Sequence, residues 1–98
     1  MFINLGFEEF EKLVNTKFSV NGFENVELEL FEVTDRKVTP QQEMFSLLFR
    51  GSKDHFLEQR IYDLSNEQFS SAEIFLVPIG QNDEVFTYQA VFNRLLKS

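Results

Sequence analysis

The pattern of apolar and polar positions changes period once, early in the chain. Phe7, Phe10 and Val14 recur at helical spacing with Leu13 beside them, while Glu8, Glu9, Glu11 and Lys12 occupy the intervening positions. This spacing predicts a short amphipathic helix, capped by Asn4 or Gly6, with its early glutamates matched to the helix dipole. A helix of so few turns does not persist alone in water, so its Phe face is predicted to dock on the rest of the fold.

Beyond it the period shortens to two. Residues 17–20 alternate, and Asn21-Gly22 offers the positive φ angles of a tight hairpin turn. Val26-Glu27-Leu28-Glu29-Leu30 alternates cleanly, then Phe31 breaks the parity and Glu32-Val33 resumes it on the other phase, which predicts a β-bulge near Leu30 and Phe31. Residues 35–42, with Thr39-Pro40, read as a loop. The strongest strand is 43–51, with Phe45, Leu47 and Phe49 on one face and Ser46, Leu48 and Arg50 on the other; Leu48 predicts partial cover of that second face by the helix. Residues 52–59 are polar and irregular, 60–64 form a short strand, and 65–68 a polar turn. The run 73–80 is almost continuously apolar, which predicts burial on both faces, with Pro78 at an edge, a strand end or a bulge. After a turn at 80–84, the strand 86–93 sends Phe86, Tyr88, Ala90 and Phe92 inward, with Leu95 and Leu96 extending or capping it.

Short turns between successive strands favour antiparallel neighbours. The fold class expected is mainly β: an antiparallel meander of about six strands, curled towards a barrel to dispose of its edges, with one N-terminal amphipathic helix packed on it. Residues 1–98 make one domain, too short for two ordinary cores.

Composition sharpens this picture. Thirteen phenylalanines, two tyrosines and no tryptophan place a large apolar area with few polar handles in the interior. The absence of cysteine excludes disulfides, thiolate nucleophiles, iron–sulfur clusters and cysteine-ligated zinc. The first residues carry no basic, apolar and cleavage-site succession, and no stretch has the length of a membrane span, so a cytoplasmic location is expected. The net charge is −7, and residues 1–35 contain eight acids against Lys12 and Lys17. An acidic first third repels phosphates, which argues against nucleic acid and anionic membranes as partners. It is compatible with a basic protein partner, although solubility alone explains it.

Candidate chemistry is sparse. His55 is the single histidine; Asp54 beside it and Asp63 downstream would have to converge on it for base or metal chemistry, and the plain reading is a solvated loop residue. Glu27 and Glu29 share one strand face, an arrangement open to acid–base or cation work but more simply the wet side of a half-buried sheet. Asn82-Asp83-Glu84 reads as a turn. No serine stands in a nucleophile elbow, and no glycine-rich loop precedes a helix. Arg50 ends the strongest strand and Arg60 begins the next; if these strands pair, both guanidinium groups reach one rim near Phe56, a composition typical of protein-contact hot spots. The simpler alternative is an arginine paired with Glu58 or Asp63.

The stretches Phe45-Ser46-Leu47-Leu48-Phe49-Arg50-Gly51, Tyr62-Asp63-Leu64, Ile74-Phe75-Leu76-Val77-Pro78-Ile79-Gly80 and Tyr88-Gln89-Ala90-Val91-Phe92-Asn93 together resemble a family of small bacterial proteins of unknown function. The resemblance covers nearly the whole chain, with Gln59-Arg60 where that family carries Gln-Gly. It implies no catalytic residues to carry over, no cofactor, and an association with phage-tail-like proteins. The function expected is a non-enzymatic protein-interaction or accessory module contacting another protein through Arg50, Phe56 and Arg60, with an apolar-ligand-binding β-barrel as the alternative. A homodimer formed by edge pairing near Pro78 is the expected form of self-association.

Overall fold

The computed structural model describes residues 6–67 and 69–95. One helix, α1 (Phe7–Glu11), precedes six strands: β1 (Thr16–Val20), β2 (Glu27–Val38), β3 (Gln42–Ser52), β4 (Arg60–Asn66), β5 (Phe69–Gln81) and β6 (Val85–Leu95). All pairings are antiparallel, and the strands close into a barrel in the order β1-β2-β3-β6-β5-β4. The mainly β class, the curled sheet and the N-terminal helix agree with the residue pattern. The path is not one uninterrupted meander, because β3 pairs with β6 and β1 with β4. In this ring β3 and β4 face each other across the barrel, so the connection 53–59 crosses its end. No helix among the described residues is long and apolar enough to cross a membrane.

Closure gives every strand one inner face, and alternation fills it. Leu28 and Leu30 of β2, Phe45, Leu47 and Phe49 of β3, and Tyr88 and Ala90 of β6 are all buried. The β2–β3 register slips between Leu30 and Glu32, placing a bulge at Phe31, where the broken alternation predicts it. A second slip lies between Thr34 and Lys37. Here the expected loop 35–42 is corrected: β2 runs on to Val38, with Lys37 opposite Met44 and Val38 opposite Glu43. The partner strand supplies an order that a charged, bulged segment does not signal by itself. The Asn21-Gly22 hairpin is longer than expected. The Phe23 N–H donates to the Val20 carbonyl at 3.1 Å around Gly22 (φ 88°), then the Val26 N–H donates to the Phe23 carbonyl at 3.4 Å around Asn25 (φ 62°). Two successive turns, each with a positive φ at its third residue, replace the single tight one.

Gly6 is the N-cap of α1, and Phe10 is fully buried, its ring 5.8 Å from Phe45 and 5.1 Å from Phe92. The helix therefore covers the Phe45 face of β3 and not, as expected, the Leu48 face. Glu43 anchors it: the buried carboxylate accepts from the Phe7 N–H at 3.4 Å and from Arg36 Nε and Nη2 at 3.1 and 2.9 Å. The Arg36 guanidinium in turn lies 4.9 Å from the Phe7 ring.

The run 73–80 is also corrected. Ala72, Ile74 and Leu76 face inward, but Phe75 and Ile79 remain 49% and 50% exposed, because a barrel has one interior and β5 turns its second face away from it. Pro78 stands opposite Tyr88, beside a register slip between Pro78 and Gly80, which is the bulge among the places expected for it. β5 pairs with β4 as far as Leu76 and with β6 from Val77 onward, so among the described residues the strand partner of Pro78 is β6. Asn4, Gln68 and Leu96 lie outside the described residues.

Gly51 stands where a side chain has no room: a Cβ there would lie 2.6 Å from Leu28 Cδ2 and 3.6 Å from Tyr88 Cε2. Gly51→Ala is expected to cost about 1–3 kcal/mol through forced repacking of the buried Leu28. Phe10→Ala should cost about 3–5 kcal/mol by emptying the helix–barrel contact. In urea titrations both variants should show lower midpoints at an unchanged slope.

Candidate functional site

The β1–β2 loop (21–26), the crossover 53–59 and the turn 82–84 all lie at one end of the barrel, since each joins strand termini there. The crossover closes that end. Leu57 is buried, and its N–H donates to the Tyr88 hydroxyl at 3.0 Å, while the Tyr62 hydroxyl donates to the Glu58 carbonyl at 2.7 Å. Leu57 escapes a sequence reading because one apolar residue in a polar loop has no period; the only hint is its place beside Phe56.

Around this cap the three residues expected to make a contact surface are distributed differently from the expectation. Phe56 is 57% exposed and meets Phe86 edge-on at 5.0 Å. The Arg60 guanidinium lies 5.2 Å from the Tyr62 ring and 5.9 Å from Phe23, which is itself 38% exposed and packed on Tyr62 at 5.6 Å. Asn21, Phe23, Arg60, Ile61 and Asp63 line an open recess of about 380 Å³ there. Arg50 is on the other side of the ring. Its Nε donates to Glu29 Oε1 at 2.7 Å, and its guanidinium lies 5.1 Å from the Phe31 ring, so Glu29 takes the place expected for Glu58 or Asp63. The strand pairing on which a shared Arg50–Arg60 rim depended is absent, because β3 and β4 are not neighbours. Phe23, which joins Arg60 here, follows the Asn21-Gly22 turn and belongs to no periodic run that would single it out.

The remaining candidates do not assemble into a reacting group. His55 is exposed in the crossover, the Asp54 N–H donates to Ser52 Oγ at 3.0 Å, and the Asp63 carboxylate accepts from Asn21 Nδ2 at 3.2 Å. Among the described residues no three His, Cys, Asp or Glu side chains gather as a metal site. Asn82 Oδ1 accepts from the Glu84 and Val85 N–H groups at 2.7 and 2.9 Å, which makes 82–84 the turn its composition indicates.

Residues 5–92 match a family described as a domain of unknown function, DUF6916. No curated protein and no solved structure matches the chain.

The two buried phenols give this geometry a pH signature. Burial holds Tyr62 above its ordinary value of 10.0, against the opposing pull of the Arg60 guanidinium. Burial likewise pushes Tyr88 up, opposed by the Leu57 N–H bonded to its oxygen. In the fold these groups keep their protons to higher pH than in the unfolded chain. Their contribution to stability is therefore complete below the unfolded value of 10.0 and is lost as pH rises through the folded values. An ultraviolet titration should show both tyrosines ionising later than free tyrosine, and Tyr88→Phe should remove part of the alkaline fall in stability.

Proposed function

The chain belongs to the DUF6916 family, and on that premise we propose that it is a non-enzymatic protein-interaction module that engages another protein through the loop end of its barrel. The observation that carries this reading is the exposure of two aromatic rings, Phe23 and Phe56, with Arg60 beside Phe23, above an interior already filled. Aromatic side chains with arginine at a rigid surface are the residues that dominate protein contacts when a partner excludes water from them. Arg60 is pre-positioned by the Tyr62 ring, which lowers the cost of ordering its long side chain on binding. Arg50, tied to Glu29 on the far wall, contributes less: an exposed ion pair is worth about 0–1 kcal/mol.

The alternative, an apolar ligand inside the barrel, requires space that Phe18, Phe49, Leu47 and Tyr88 occupy, each at most 0% exposed. No specific observation favours it.

The test is a comparative pull-down from the native host. The wild-type chain and a Phe23→Ser, Phe56→Ser, Arg60→Ala variant are immobilised, and the proteins retained by each are quantified. At least one protein should fall by about tenfold or more with the variant, as loss of a hot-spot group implies. If wild type and folded variant retain the same proteins in the same amounts, the reading fails.

A further inference from the structure

The ring closes where β1 meets β4, and the seam there is short. Ser19 pairs with Ser65 and Val20 with Leu64, the shortest ladder of the barrel among the described residues. Two asparagines extend it at its ends. Asn66 Nδ2 donates to Thr16 Oγ1 at 3.1 Å and to the Lys17 carbonyl at 3.2 Å. Beyond Val20, the Asn21 N–H donates to the Asp63 carbonyl at 2.8 Å and Asn21 Nδ2 to Asp63 Oδ2 at 3.2 Å, while Asn21 Oδ1 accepts from Ser65 Oγ at 3.0 Å. Asn21 thus holds β1 to β4 by its main chain and by both ends of its amide. It also precedes Gly22, and none of the chain's other asparagines is followed by glycine.

We propose that Asn21 is a site of spontaneous deamidation, and that its conversion loosens the seam at which the barrel closes. The Gly22 nitrogen attacks Asn21 Cγ, the Gly22 N–H proton and the side-chain NH2 leave together as ammonia, and a succinimide ring remains. Water then opens the ring at one of its two carbonyls, giving aspartate or isoaspartate; water enters, ammonia departs and nothing is oxidised. Asparagine is a thermolabile residue, and a following glycine has no Cβ to hinder the approach of its nitrogen. Asn21 and Gly22 are both exposed, and among the described residues the Gly22 N–H makes no hydrogen bond that would withhold the nucleophile. Asn15, Asn25 and Asn82 are exposed too, but Thr16, Val26 and Asp83 follow them, the first two branched at Cβ. The side-chain bonds of Asn21 to Asp63 and Ser65 lie at the surface, where water competes for them and releases Cγ. The product sets a carboxylate where Nδ2 now donates. Asp63 then loses a donor and meets a like charge, although it already stands opposite Glu73 in the β4–β5 register. Arg60 lines the same recess, but its guanidinium lies over the Tyr62 and Phe23 rings. The repulsion therefore falls on the shortest ladder of the ring, and β1 parts from β4 there before any other junction opens.

The test uses the purified chain without a partner, so its result is independent of the loop-end reading. The protein is incubated at mildly alkaline pH and digested, and the peptides are fragmented to assign each converted asparagine. Residue 21 should gain the one mass unit of NH2 exchanged for OH well ahead of Asn15, Asn25 and Asn82, and an isoaspartate-specific methyl transfer should label it. Asn21→Asp carries the product's charge without waiting for the reaction. It should lower the hydrogen-exchange protection of the Ser19 and Ser65 amides by about three- to tenfold and leave Leu47 and Tyr88 as they are. Adding Asp63→Asn to Asn21→Asp exchanges donor and acceptor across the seam and should restore that protection. Equal conversion at Asn21 and the other exposed asparagines, unaltered protection in Asn21→Asp, or no recovery in the double variant would overturn the inference.

Discussion

The barrel depends on one constraint: six strands must converge their inner side chains on a space just wide enough for those side chains and nothing more. Tyr88 and Gly51 show how narrow the fit is. The Tyr88 ring is fully buried, and next to it β3 carries glycine at a position where a Cβ would strike the buried Leu28 side chain. A barrel of six strands has so small a lumen that its own side chains fill it. Burial of that apolar surface is the main favourable term in the folding of the chain.

Filling the lumen leaves polar loose ends, and the crossover resolves them. Tyr88 brings a hydroxyl into the interior, and Leu57, arriving from the loop between two strands on opposite sides, gives its N–H to that oxygen while its side chain closes the end. Among the described residues no buried side-chain nitrogen or oxygen is left without a hydrogen-bond partner. The opposite end is closed differently, by α1, whose Phe10 lies on Phe45 and Phe92 and whose first N–H is held by Glu43. With both ends closed and the centre occupied, what the chain presents to solvent is its outer surface. Its character is divided: carboxylates on the outer face of β2, apolar side chains on the outer face of β5, and aromatic rings with Arg60 at the loop end.

The features legible in the sequence are those that local periodicity encodes. The alternation of Val26 to Leu30, its break at Phe31 and the inward set of β6 each map onto burial and register. The features that were not legible depend on distant partners. Lys37 and Val38 look like loop residues until Met44 and Glu43 are known to lie opposite them. The β3–β4 crossover follows from ring closure, which no short window of sequence contains. The nearly continuous apolar character of 73–80 predicts burial on both faces, but the sequence does not say that one of them has no cover among the described residues. The candidate site was legible in kind and not in arrangement: Phe56 and Arg60 do lie at the loop end, whereas Arg50 is drawn to Glu29 by a pairing of β2 with β3.

The most direct measurement of the central claim, that the chain's own rings saturate the interior, is native mass spectrometry of the protein taken from its natural host. The account predicts the mass of the polypeptide alone, in one copy or two, with no additional component at any gentle activation energy. A stoichiometric lipophilic or aromatic adduct, released only when the barrel unfolds, would contradict it.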